Sequence, residues 1–136
     1  MTARRKVAIL DDYQNVALDM ADWTPVADRA DITVFNDHIA DPNVLVDRLA
    51  AFDIVFVMRE RTPLPRAIIE RLPRLKMIAS TGPFNASIDM AAAADHGIHV
   101  GTTGGTIAST VELTWALILS AARNIVTENM AVRSGK

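Results

Sequence analysis

Five short apolar runs recur along this chain, KVAIL (6–10), ITVF (32–35), DIVFVM (53–58), LKMIAS (75–80) and IHV (98–100). Each is partly β-branched and bounded by polar or turn residues, which is how strands read. Their interiors are near-continuously apolar, as expected of strands buried on both faces in a parallel sheet. The stretches between them predict helices over 14–23, 43–51, 64–72 and 88–96. Pro42 and Pro63 stand where a helix is about to begin, Pro73 where one ends, and Gly97 just past another. Strand–helix alternation repeated five times predicts a doubly wound α/β domain over 1–105, with a flavodoxin-like five-stranded parallel sheet.

The tail breaks the pattern. From Ser109 to about Arg133 neither proline nor glycine occurs, which predicts one long crossover helix within a second segment, 106–136. At 1.5 Å per residue it would run roughly 37 Å. Ser109 and Glu112 have the S-x-x-E spacing of a capping box. Val111, Trp115, Ile118, Leu119, Ala122, Ile125, Val126 and Met130 recur at helical intervals, and Leu113 and Leu117 widen that stripe. Such a helix needs cover on several sides, so a partner or a further domain is implied.

Composition narrows the function classes. The 136 residues suit one domain, half of them are hydrophobic, and the net charge is only -2. That balance, with a sequence pI near 5.9, gives no general attraction to nucleic acid or an anionic membrane. Cysteine is absent, which removes disulfides, thiolate metal sites and thiol nucleophiles. Arg4-Arg5-Lys6 precedes too short an apolar run for a secretory signal. No uncharged run approaches the ~18 residues of a membrane span. The expectation is a cytoplasmic protein.

Ligands of open parallel sheets bind beyond the carboxyl ends of the strands, which directs attention to four loops. Arg59 and Arg61 could present guanidinium forks to a carboxylate, or could sit in a solvated loop paired with Glu60. Ser80-Thr81-Gly82 could offer hydroxyl and N–H groups to an anion, or form an ordinary turn. The GTTGGT loop at 101–106 precedes a helix but matches no phosphate-binding spacing. Asp11 and Asp12 could share a magnesium ion, though a polar strand end is the simpler reading, and no metal site is expected. His38, His96 and His99 read as surface or loop residues, and Glu112 as a capping group.

Two families share this architecture. Receiver domains also carry acidic residues after the first strand, like Asp11-Asp12, and Ser/Thr after the fourth, like Ser80-Thr81. Their phosphoacceptor aspartate and their lysine would fall where this chain has Met58-Arg59 and Gly101-Thr102. A fuller match covers essentially the whole chain. Gly82-Pro83-Phe84, Ile88-Asp89, the alanines from Ala91 to Ala94, Gly97-Ile98-His99-Val100, Thr110-Val111-Glu112, Arg123 and Arg133-Ser134-Gly135-Lys136 stand in order. Together with VMRERTP they resemble the D-isomer-specific 2-hydroxyacid dehydrogenases, phosphoglycerate dehydrogenase-like members included.

That resemblance implies an oxidoreductase moving hydride between NAD or NADP and a small 2-hydroxy or 2-keto acid. It implies carboxylate binding by amides of the turn at Pro83 and Phe84, with Thr81 and Gly82 beside them and Arg59 and Arg61 on a loop approaching the substrate. It places Thr110 next to the nicotinamide, and makes the long helix a homodimer element. Pro83 has no N–H and Phe84 replaces the second glycine of the turn, so an anion there must use fewer amides. The G-x-G-x-x-G fingerprint, the NAD-binding Rossmann domain and the family's catalytic Arg, Glu and His would all lie downstream of Lys136. The chain is therefore expected to be the leading part of a longer frame, to contain no catalytic residue and to be inactive alone. The alternative is a binding or dimerisation module without turnover.

Overall fold

The computed structural model of the chain describes residues 4–136. Five strands, β1 (Arg5–Ile9), β2 (Ala30–Val34), β3 (Ile54–Val57), β4 (Met77–Ser80) and β5 (His99–Thr102), form one parallel sheet in the order β2-β1-β3-β4-β5. This is the flavodoxin-like order, with its reversal between β1 and β3. Alternate strand residues serve opposite faces, which is why the strands read as continuously apolar. Ala8, Leu10, Val55, Val57 and Ile78 join one cluster, while Val7 and Ile9 join another with Ile54 and Phe56.

The first cluster is sealed by α2 (Pro42–Leu49), α3 (Arg66–Ile69) and α4 (Met90–Asp95), through Leu45, Val46, Leu49, Ile68, Ile69, Ala92 and Ala93. Each fully buried aliphatic side chain contributes about 1.5–3 kcal/mol. Asp41 and Asp89 start α2 and α4 by accepting N–H groups of the first turn, Asn43 and Val44 in one case and Ala92 in the other. Beyond α4 the chain turns at Gly97, whose φ of +65° is the left-handed conformation glycine supplies. The second cluster is covered by Ala17 and by Trp23, which packs edge-on to Phe56 with ring centroids 6.4 Å apart.

Three expectations fail here. The helix predicted over 14–23 is a series of turns, and the only helix in that connection is the short α1 (Thr24–Ala27). Asn15 is left-handed, and the Asp12 carboxylate takes the N–H groups of Val16 and Ala17 that a helix would have used. The long crossover helix is two helices, α5 (Ala108–Ala122) and α6 (Ile125–Arg133), parted at Asn124 with φ 51°. Asparagine tolerates that conformation as proline-free and glycine-free counting overlooks. Ser109 does not cap: α5 begins earlier, at Ala108, whose N–H donates to the Thr106 hydroxyl. Glu112 accordingly has no box to close.

Residues 4–104 and Gly105–Lys136 are separate compact units. Neither α5 nor α6 buries a residue, and Trp115, Leu117, Ile118 and Leu119 are all more than half exposed.

At the amino edge of the sheet Asp53 joins three strands. Its carboxylate accepts the Lys6 N–H at 2.9 Å and an Arg74 N–H at 3.3 Å, and its carbonyl accepts from Lys76. The Lys6 N–H is the main cause holding this carboxyl below the usual carboxylate range, against burial and helped by Arg74 and Arg5. A carboxyl depressed on folding stabilises the native state above its unfolded pKa, and that stabilisation fades as pH falls through the folded value. Asp53→Asn is expected to cost about 2 kcal/mol at pH 7. In urea denaturation the difference from wild type should shrink as pH falls below the ordinary aspartate pKa of about 3.9. A pH-independent difference would mean the charge contributes nothing.

Candidate functional site

The reversal in strand order opens a crevice at the carboxyl ends of β1 and β3, and Asp11 fills its floor. Asp11 is buried and left-handed, with φ 57°. Its carboxylate accepts the Thr62 hydroxyl at 2.6 Å and lies 2.9 Å from His38 Nδ1. Its carbonyl accepts from Arg61 Nη1 at 2.7 Å. The next carboxylate, Asp12, is spent on Val16 and Ala17, and its carbonyl takes Asn36 Nδ2. Both aspartates are thus engaged by protein donors, and no group of three metal-binding side chains occurs among the described residues. His38 is a surface loop histidine, as expected from sequence, but it has a partner the sequence does not reveal. Its carboxylate partner lies 27 positions away, a pairing that only the meeting of the β1 and β2 loops creates.

The two arginines divide. Arg61, exposed like Arg59, has its guanidinium 4.8 Å from the centre of the Tyr13 ring and bonded to the Asp11 carbonyl. Tyr13 titrates above its ordinary value, through desolvation first and the adjacent Asp11 carboxylate second, with Arg61 opposing. Arg59 is exposed, and among the described residues it has no carboxylate partner, Glu60 included. Its guanidinium lies over Gly82: a Cβ built there would stand 1.9 Å from Arg59 Nη1. Gly82 has φ +93°, a conformation that also calls for glycine.

The turn after β4 is fastened on both sides. Thr103 Oγ1 accepts the Gly82 N–H at 2.8 Å, and the Thr103 N–H reaches the Ser80 and Gly82 carbonyls. Thr81 Oγ1 accepts the Arg59 N–H at 2.9 Å, and Asn85 Nδ2 donates to the Arg59 carbonyl at 2.6 Å. Gly82 therefore has no amide to spare, and Pro83 has none at all. The Phe84 and Asn85 N–H groups find no acceptor among the described residues. Asn85, Thr103 and Asp11 went unnoticed as organisers because their partners are remote in sequence; only the polar types in loop positions hinted at them. Phe84 is 69% exposed, and with Pro83, Asn85, Ile88, Met90, Val100 and Thr102 it lines an apolar cavity of about 210 Å³.

A guanidinium without a carboxylate partner is a group that can receive a carboxylate, and the apolar cavity beside the turn is lined by other residues. In the 101–106 loop Gly101 serves packing, with Met77 Cε 3.1 Å from a built Cβ, and Gly104 faces open space. No phosphate cradle results. Thr110, in the helical unit, is exposed, and its carbonyl accepts the Thr114 hydroxyl.

Comparison with known proteins identifies the family. The catalytic domain of the D-isomer specific 2-hydroxyacid dehydrogenases matches residues 7–133. The glyoxylate reductase of Thermococcus litoralis is 32% identical over 109 residues, 78% of this chain and 32% of that protein. The hydroxypyruvate reductase of Blautia hydrogenotrophica is 27% identical over 134 residues, 96% of this chain and 40% of that protein. The crystal structure of a phosphoglycerate oxidoreductase from Vibrio cholerae aligns with a TM-score of 0.79 at 36% identity, covering 97% of this chain and 42% of that one. The chain thus spans 32% to 42% of the length of these relatives. From β1 through α6 it belongs to the D-isomer-specific 2-hydroxyacid dehydrogenase family.

Proposed function

We propose that this chain is the substrate-side part of an oxidoreductase that transfers hydride between NAD(H) or NADP(H) and a small 2-hydroxy or 2-keto acid in the cytoplasm. The observation that carries the reading is Arg59, exposed, laid over Gly82, and with neither a carboxylate nor a hydrogen-bond partner for its guanidinium among the described residues, whereas Arg61 bonds the Asp11 carbonyl. Arg59 meets the substrate carboxylate, Phe84 contributes an amide, and Thr81, Gly82 and Pro83 shape the turn. Arg61 holds the loop rather than the substrate. The cofactor, with Thr110 beside its nicotinamide, and the acid/base chemistry are supplied by groups outside these 136 residues. The names and greater lengths of the relatives support that division.

The chain alone is then expected to show no NADH oxidation with glyoxylate or hydroxypyruvate, since general acid–base catalysis, typically worth 10²–10⁴-fold, is missing. Turnover by the purified chain would overturn this. For the same chain titrated with hydroxypyruvate by NMR, Arg59→Ala is expected to weaken binding roughly ten- to a hundredfold, the worth of a charge-assisted hydrogen bond. Arg61→Ala should instead lower thermal stability, with a smaller effect on affinity. The reverse pattern would exchange the two roles.

A second reading, a binding or dimerisation module without turnover, is favoured by the helical unit, whose apolar side chains are uncovered. Whichever reading holds, we propose that this unit self-associates. At ~25 cal/mol per Å², a few hundred Å² of buried apolar surface is worth several kcal/mol, and a two-fold axis lets one stripe serve both partners. Light scattering across a concentration series should report a homodimer or larger species. A monodisperse 14.8 kDa monomer at high concentration would refute it.

A further inference from the structure

An arginine at φ 56° is uncommon, because its Cβ crowds the backbone in the left-handed region. Something must hold Arg59 there, and the surrounding polar groups do so from both ends of the residue. Its N–H donates to Thr81 Oγ1 at 2.9 Å, and its carbonyl accepts from Asn85 Nδ2 at 2.6 Å. Asn85 is itself buried and its side chain is engaged at both polar atoms: the same amide nitrogen donates to Ser80 Oγ at 3.1 Å, and Oδ1 accepts the Ser87 N–H at 2.9 Å. One side chain thus ties the end of β3 to the turn after β4, and it does so through the backbone of the residue whose side chain crosses Gly82.

We propose that Asn85, acting with Thr81, is a positioning residue: it clamps Arg59 in the left-handed conformation and thereby fixes where the guanidinium meets the substrate carboxylate. This rests on the role given to Arg59 above. The physical reason is lever-like. Arginine has four side-chain torsions, and a backbone free to leave φ 56° would redirect Cβ and carry the guanidinium away from Gly82. Fixing the backbone removes that freedom before the anion arrives, which is preorganisation of the binding group.

The test uses the whole chain and NMR. The HN–Hα coupling and carbon shifts of Arg59 report its φ, and titration with hydroxypyruvate reports affinity. Asn85→Ala and Thr81→Val are expected to abolish the positive-φ signature and to weaken hydroxypyruvate about tenfold, the loss of one hydrogen-bonded anchor. Thr81→Ser, which keeps the acceptor oxygen, should retain both properties. Asn85→Ala combined with Arg59→Ala should bind no more weakly than Arg59→Ala alone, since both act through one contact. Should Asn85→Ala fail to fold, the Thr81→Val and Thr81→Ser pair decides. Arg59 remaining at positive φ in the folded variants would overturn the clamp. So would its release with no change in affinity while Arg59→Ala still weakens binding. If Arg59→Ala binds as well as wild type, the substrate-side role of Arg59 fails instead, and the φ signature still judges the clamp on its own.

Discussion

One buried carboxylate organises the functional edge of this fold. Parallel strands leave their carboxyl ends splayed where the order reverses, and nothing in the ladder of β1 and β3 fixes the loops beyond them. Asp11 closes that gap by taking the Thr62 hydroxyl, facing His38, and offering its carbonyl to Arg61. The loops after β1, β2 and β3 are therefore mutually braced. A carboxylate so deeply buried needs several donors at once, so the brace and the burial require each other. The loop carrying Arg59 inherits its starting point from this arrangement.

A second brace, on the other flank, works through neutral groups. Thr103 receives Gly82, Thr81 receives Arg59, and Asn85 reaches back across. Arg59 and Arg61 are two positions apart yet fall under different regimes. Both are exposed, but one bonds the Asp11 carbonyl and lies over Tyr13, while the other lies over Gly82. Alternation along an extended loop sends neighbours but one in the same general direction, so this division depends on the left-handed turn at Arg59.

Much of the fold was legible because burial on two faces leaves an unmistakable imprint: VAIL and IVFV admit few alternatives to interior parallel strands. Helices bounded by proline, aspartate caps and Gly97 were legible for the same reason, each boundary having a local cause. The failures share a different character. The 14–23 segment is set by the Asp12 side chain, by left-handed Asn15 and by Trp23 reaching Phe56, which no periodicity records. The kink at Asn124 is a local event at a residue whose left-handed tolerance is weaker and less visible than that of glycine. At the site, the resemblance named Arg59 and Arg61 together, and the structure adds contacts of Arg61 that the sequence does not show. The partners of Arg61, Asp11 and Tyr13, lie about fifty residues away in the chain.

The space above Gly82 has a consequence that concerns inheritance rather than energy. The Arg59 guanidinium occupies the volume a Cβ would need, so a side chain at 82 would have to push this flexible arginine aside. A lineage that acquired any side chain at 82 would displace the arginine, and one that shortened the residue at 59 would release the glycine from its steric duty, leaving only its φ of +93° to preserve it. The two positions lie in the loops after β3 and β4, twenty-three residues apart along the chain.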